Sequence, residues 1–351
     1  MIFRLSGGLA AEQVTWVAIG IGAFCATLVL VRDHRMLDAY TYTIGLVGLV
    51  LLLLPVVPGI GRTINGARLW VKVGPIGFQP SEIGKVLIVV FLASYLTQKR
   101  ELLRVGTGGV GPLRLPPAKH LMPVLVAWGA SLAVLFIQRD LGASLLYFGI
   151  FVVMLWVATG RVAYLAIGVV LFAVGAWFGY QAFDHVQLRV DVWLHALDPD
   201  KVFGLGYGQL AQAQFAMGTG GLVGTGLGLG SPGLVPFAAT DFIFAAIGEE
   251  LGMLGTVGVL LLYVVLVGKG LQAALGCSDG FGRLLAAGLS TAVALQTFVI
   301  VGGVTRVIPL TGVTLPFVSY GGSSLVSNFV LLALLVRVSA GPAPVRPKRG
   351  G

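Results

Sequence analysis

The sequence predicts an all-α fold, a polytopic membrane helix bundle. Three observations carry this. Residues are 57% hydrophobic and only 11% charged, against about 25% charged in soluble domains. Apolar runs of about 18–25 residues recur along the chain, the length a bilayer demands. Fifty-two glycines suit membrane helices, which pack closely through small residues. A mean hydropathy of +0.95 agrees.

The runs predict nine full spans, at about residues 13–31, 41–58, 81–97, 120–138, 141–159, 162–182, 242–267, 283–303 and 318–337. Residues 1–337 are read as one integral-membrane domain. The segment 338–351, rich in Gly, Pro, Lys and Arg, is expected to be a disordered basic tail. Alternate connections carry fourteen Lys and Arg residues on one side and eight on the other. The basic side should be cytoplasmic, so the C-terminus lies inside. Nine spans then put the N-terminus outside. No signal peptide is evident to take it there, so one more helix is expected to precede Met1.

The net charge of +9 does not indicate nucleic acid. The basic residues sit in short loops between apolar runs rather than in a stripe with aromatics. Cys25 and Cys277 make neither a metal pattern nor a disulfide pair. His34, His120, His185 and His195 show no ligand spacing and receive no role.

Three external connections are long enough to build a site: Gly59 to Gln79, Phe183 to Thr240, and Gly302 to Phe317. The largest ends in GTGGLVGTGLGLGSPG at 218–233. Neither a Walker lysine nor a preceding strand accompanies these glycines. They suggest a re-entrant loop or half-helix tolerated because it lines a cavity, although its N–H groups could also meet a lipid diphosphate.

Thr240 and Asp241 follow, at the mouth of the apolar run FIFAAIGEE. A carboxylate there is either a first-turn acid favoured by the helix dipole or a base at a membrane surface. Glu249 and Glu250 lie about 12 Å further along that helix. Buried acids in a span need a partner, expected near Arg306, Lys85 or Arg139. In FQPSEIGK, Pro80 suits the first helical position, and Glu82 and Lys85 share a face three residues apart. That pair is a helix salt bridge or a polar cavity wall. Trp70 is an interfacial aromatic or a platform for a sugar or lipid head. Ser319, in SYGGSS, is a helix-start residue, since no His or paired acid is placed to activate it.

These stretches together resemble the SEDS family of bacterial cell-wall polymerases (RodA, FtsW and SpoVE). The matching segments are NGARLWVKVGPIGFQPSEIGK at 65–85, QRDLGASLL at 138–146, AMGTGGLVGTGLGLGS at 216–231, TDFIFAAIGEELGMLG at 240–255 and IPLTGVTLPFVSYGGSSLVSN at 308–328. They span about residues 40–337. Three features depart from the family's pattern. A first helix is absent, Arg139 stands at a usual proline, and Phe237 and Ala239 replace the Glu and His expected before Asp241.

The resemblance implies a ten-helix enzyme polymerising glycan strands from lipid II on the outer face of the cytoplasmic membrane. It implies a class B penicillin-binding protein as partner, Asp241 as the catalytic acid, Trp70 as a sensitive aromatic, and Glu82 with Lys85 as a cavity wall. Glycosyl transfer from an α-linked diphosphate to a β-linked glycan inverts the anomeric carbon, which needs a base but no protein nucleophile. Arg68, Lys72 or Arg306 would then neutralise diphosphate charge. No cofactor is evident beyond a compatible divalent cation, Mg or Mn, and no metal ligand is assigned. The alternative readings are a lipid II flippase and an inactive scaffold for the transpeptidase.

Overall fold

The computed structural model describes residues 2–64, 67–73, 76–104, 129, 137–138, 140–202, 204 and 206–341. Most of the expected spans are helices. They are α1 (Gly7–Leu30), α2 (Thr41–Leu53, continued by a 3-10 turn Leu54–Val56), α3 (Pro80–Gln98), α4 (Leu141–Thr159) and α5 (Ala163–Ala182). After two shorter helices, α6 (Asp184–His195) and α7 (Tyr207–Gly220), come α8 (Ile243–Gly276), α9 (Gly280–Val304) and α10 (Gly322–Ser339). Seven of these are long and apolar enough to cross a membrane, and α2 is a shorter apolar helix. The expected span 120–138, Arg139, and nearly all of the expected tail lie outside the described residues.

Local sequence sets the helix limits. Pro80 occupies the first turn of α3, where its missing N–H breaks no helix bond. Asp140 caps α4 by accepting the Ala143 N–H at 2.9 Å, and left-handed Gly160 ends it. Asp279 caps α9 through the Gly282 N–H at 2.7 Å. α3 and α9 form the buried centre, with Leu96, Leu285, Ala286 and Leu289 fully enclosed. α5 shows its apolar side chains outward, as a lipid-facing helix does.

One part of the fold departs from the all-α expectation. The connection between α2 and α3 forms a three-stranded antiparallel sheet in the order β1 (Gly61–Ile64), β2 (Ala67–Val73), β3 (Ile76–Phe78). Val71 turns inward at 2% exposure. Arg68, Trp70 and Lys72 share the other face of β2 by strand alternation.

The connections sort to two ends. At one end His34 meets Asp279, and the Tyr164 hydroxyl donates to Leu103 O. At the other, the sheet, α6 and α7 gather with the segments 232–242 and 305–321. Arg189 donates to Leu310 O at 3.0 Å, and Trp193 Nε1 to Arg306 O at 2.9 Å.

α8 is broken at Gly252, whose φ of 65° and ψ of −164° lie outside the helical region. The glycine-rich loop docks into this break. Met253 N–H donates to Gly221 O at 2.9 Å and Leu254 N–H to Leu222 O at 3.1 Å. A Cβ at Gly252 would lie 2.3 Å from Gly224 N, so no side chain fits there.

Candidate active site

The cleft at the end of the bundle that carries the sheet is about 380 Å³ with its open mouth. Its polar lining comes from Gln79, Ser81, Glu82, Lys85, Asp140 and Thr314, closed by Tyr147 and Gly312. Glu82 and Lys85 lie in the first two turns of α3 and are almost fully buried. Lys85 Nζ donates to Glu82 Oε2 at 2.9 Å and to Gln296 Oε1 at 2.6 Å. Gln296 Nε2 in turn donates to Thr314 O at 2.8 Å. Ser327 Oγ holds the Glu82 carbonyl at 2.6 Å, and the Tyr147 hydroxyl holds that of Ser81 at 2.7 Å. The pair is an ion pair within α3 and also part of the cleft lining.

Asp241 stands at the cleft mouth, half-buried, two residues before α8. Gly312, with φ of +77°, passes so near that a Cβ there would lie 3.7 Å from Asp241 Oδ2. Its peptide neighbourhood is tied to two loops. Ser319 Oγ donates to Thr240 O at 2.6 Å and accepts the Leu315 N–H at 2.9 Å. Tyr320 N–H donates to Ala239 O at 2.8 Å. Thr240 Oγ1 donates to Phe237 O at 3.2 Å. Phe237 is exposed with φ of 56°. Neither it nor Ala239 brings a polar side chain to Asp241.

Sequence reasoning missed Arg189. Its guanidinium interacts with both Asp140 and Asp241. Burial pushes Asp241 up to about 6, against the pull of Arg189 and a hydrogen bond from Thr240. Burial likewise pushes Asp140 up to about 6, opposed by the Ala143 N–H, assisted by Glu82 and opposed again by Arg189. Two carboxyls pushed upward by burial, within electrostatic reach of one guanidinium, are candidates for acid–base work. The only signal for Arg189 was its place among external basic residues. The amphipathic α6 aims it, and that helix was not read from the sequence.

Other expected site residues fall elsewhere. Arg306 is not in the cleft: its guanidinium donates to the carbonyls of Trp193 (3.0 and 3.2 Å) and Leu194 (3.1 Å), ending α6. Among the described residues no ion pair joins Glu249 to Arg306 or Lys85. Glu249 accepts the Ser231 N–H at 2.7 Å, while Glu250 accepts the Gly228 N–H at 3.1 Å. These acids staple the glycine-rich loop to α8 by taking up the N–H groups of Gly228 and Ser231. Arg68 donates to Val57 O at 3.2 Å, and Lys72 is exposed on β2. Neither they nor half-buried Trp70 line the cleft. Ser319 is a positioning residue rather than a lining one.

Fold and site together define a multi-pass membrane protein with an acid-lined cleft at an end of its helix bundle. The chain belongs to the cell cycle protein family FTSW_RODA_SPOVE, whose model matches residues 4–342. It is 45% identical over 344 residues to the peptidoglycan glycosyltransferase RodA of Mycobacterium tuberculosis, covering 97% of this chain and 72% of that protein. It is 33% identical over 327 residues to stage V sporulation protein E of Bacillus subtilis, covering 91% and 84%. Among solved structures it is similar to a chain of a peptidoglycan synthase complex that coordinates polymerization and crosslinking. There the TM-score is 0.73 at 26% identity, covering 97% of this chain and 96% of that one. The rod shape determining protein RodA of Thermus thermophilus aligns with a TM-score of 0.66 at 26% identity, covering 97% and 90%.

Proposed function

We infer that this chain carries the activity of its relatives, peptidoglycan glycosyltransfer, and that Asp241 is its general base. The acceptor is the 4-hydroxyl of one lipid-linked disaccharide. Its oxygen attacks the anomeric carbon of the second, and the bond from that carbon to the diphosphate oxygen breaks with its electron pair. Asp241 takes the hydroxyl proton. One displacement inverts the carbon from α to β, so no protein nucleophile is required. The observation that carries this reading is the Asp241 carboxyl at the cleft mouth, raised to about 6. Near neutrality such a group is ionised and still basic enough to accept a proton.

Arg189, rather than Arg306, is the cation offered to the leaving diphosphate, because it lies within electrostatic reach of Asp140 and Asp241. The hard oxygen of Asp140 fits Mg²⁺ or Mn²⁺, which would supply further charge neutralisation there when bound together with the diphosphate. Lipid II is the substrate and the outer face of the bacterial cytoplasmic membrane the location. The more basic end of the bundle then faces the cytoplasm together with the C-terminus. A class B penicillin-binding transpeptidase is the crosslinking partner, supported by the likeness to a synthase complex that couples the two activities.

Purified protein given labelled lipid II in detergent tests this. Glycan polymer supports the enzyme, since detergent abolishes the two sides on which a flippase acts. A complex that polymerises lipid II but fails with Asp241→Ala excludes an inactive scaffold.

A further inference from the structure

At the end of the bundle opposite the cleft, three metal-ligating side chains from two distant connections converge. His34, fully buried, belongs to the segment between α1 and α2; Cys277 and Asp279 form the turn between α8 and α9. His34 Nε2 lies 2.8 Å from Asp279 Oδ2, and Cys277 Sγ lies 3.1 Å from the same oxygen. The three donor atoms lie within 4.8 Å of one another. The spacing of the sequence did not show this, because residues 34 and 277 meet only when the helices pack.

We propose that His34, Cys277 and Asp279 bind one Zn²⁺ through Nε2, Sγ and a carboxylate oxygen. One thiolate, one imidazole and one carboxylate form a zinc donor set, with a fourth position left for water. His34 Nδ1 lies 3.5 Å from Asp33 Oδ1 without a hydrogen bond between them, near enough for this carboxylate to turn and orient the imidazole once Nε2 holds a metal. Asp279 Oδ1 is fixed by the Gly282 N–H, which leaves Oδ2 toward the other two donors.

Gly282 lets the two donors approach. A Cβ at this position would lie 2.6 Å from Cys277 Sγ and 2.6 Å from His34 Nε2, so a side chain here would push both donors aside. Two features oppose a cation here. One is the N-terminus of α9; the other is Arg35, whose Nε lies 3.7 Å from Asp279 Oδ2. Arg35 is half exposed and free to swing outward, and the thiolate and carboxylate bring two negative charges. Binding releases the thiol proton to solvent and requires Nε2 of His34 to be free of its proton, the ring keeping one at Nδ1. The metal would join the connection after α1 to the one before α9.

The test uses the full chain in detergent, stripped with chelator and titrated with Co²⁺, then Zn²⁺. The expected result is one Co²⁺ per chain with a thiolate-to-cobalt absorption band that Zn²⁺ bleaches. Cys277→Ser should abolish the band, and His34→Gln and Gly282→Ala should weaken binding by about tenfold or more. Cys25→Ser, a remote control, should change nothing. Zn²⁺ should raise the melting temperature of the wild type and not that of Cys277→Ser, whose metal-free melting temperature reports that it folds. No band in the wild type, or a band that survives Cys277→Ser, would overturn the proposal. Wild-type affinity in both His34→Gln and Gly282→Ala would do the same.

Discussion

Ser319 Oγ donates to the carbonyl of Thr240 at 2.6 Å, one residue from the proposed base. The same oxygen accepts the Leu315 N–H, so one hydroxyl fixes two loops around Asp241. Ser319→Ala leaves both backbone groups without this partner, at a cost of about 1–3 kcal/mol. A lowered melting temperature and a turnover reduced by about tenfold, with little change in KM, are expected from thermal unfolding and lipid II polymerisation. The conservative Ser319→Thr should recover part of the rate.

Asp241 and Asp140 give opposite pH trends in activity and stability. Both have folded values of about 6, raised by burial from 3.8. Each therefore binds its proton more tightly in the folded state. The resulting stability is fully present below about 3.8 and is lost as pH rises through about 6. Activity needs ionised Asp241 and rises over the same window. Polymerisation rate and melting temperature, measured together from pH 4 to 8, should cross. In Asp241→Asn the fall in stability should be shallower.

Arg189 lowers both carboxyls, so its removal should move the acidic limb of the rate profile to higher pH. Arg189→Gln should shift that limb upward by roughly one unit and reduce the rate even on the alkaline plateau, because diphosphate neutralisation is lost. A pH–rate profile of the variant separates the two effects. An unmoved limb would remove Arg189 from the site.

The buried Lys85–Glu82 pair is a cleft wall that demands both partners. Lys85→Met strands the Glu82 carboxylate and Gln296 in a site where Lys85 is 2% exposed. Breaking such a pair costs about 3–5 kcal/mol. The double variant Glu82→Gln, Lys85→Met should melt above Lys85→Met alone, because the uncompensated charge is gone. Thermal unfolding of the single and double variants checks this.

The spans were legible because an apolar run of bilayer length has few other fates, and the described helices follow those runs closely. Asp241 was legible because it is the acid directly before such a run. The sheet was not: its strands are only three to seven residues long, too short to show alternation beside so many glycines. The partners of Glu249 were illegible because they depend on the break at Gly252, which brings the loop at 225–231 onto α8. Arg189 and Arg306 look alike in sequence, each one basic residue in an external loop. Packing of α6 alone sends Arg189 toward two carboxyls and spends Arg306 on backbone carbonyls.

The central claim is that Asp241 accepts the proton of the attacking hydroxyl, and one rate tests it most directly. Asp241→Asn keeps the shape of the side chain and removes its basicity. In purified protein with labelled lipid II it should lower polymerisation by about 10²–10⁴-fold, the usual contribution of a general base, while substrate binding and melting temperature persist. Polymerisation at the wild-type rate would contradict the account.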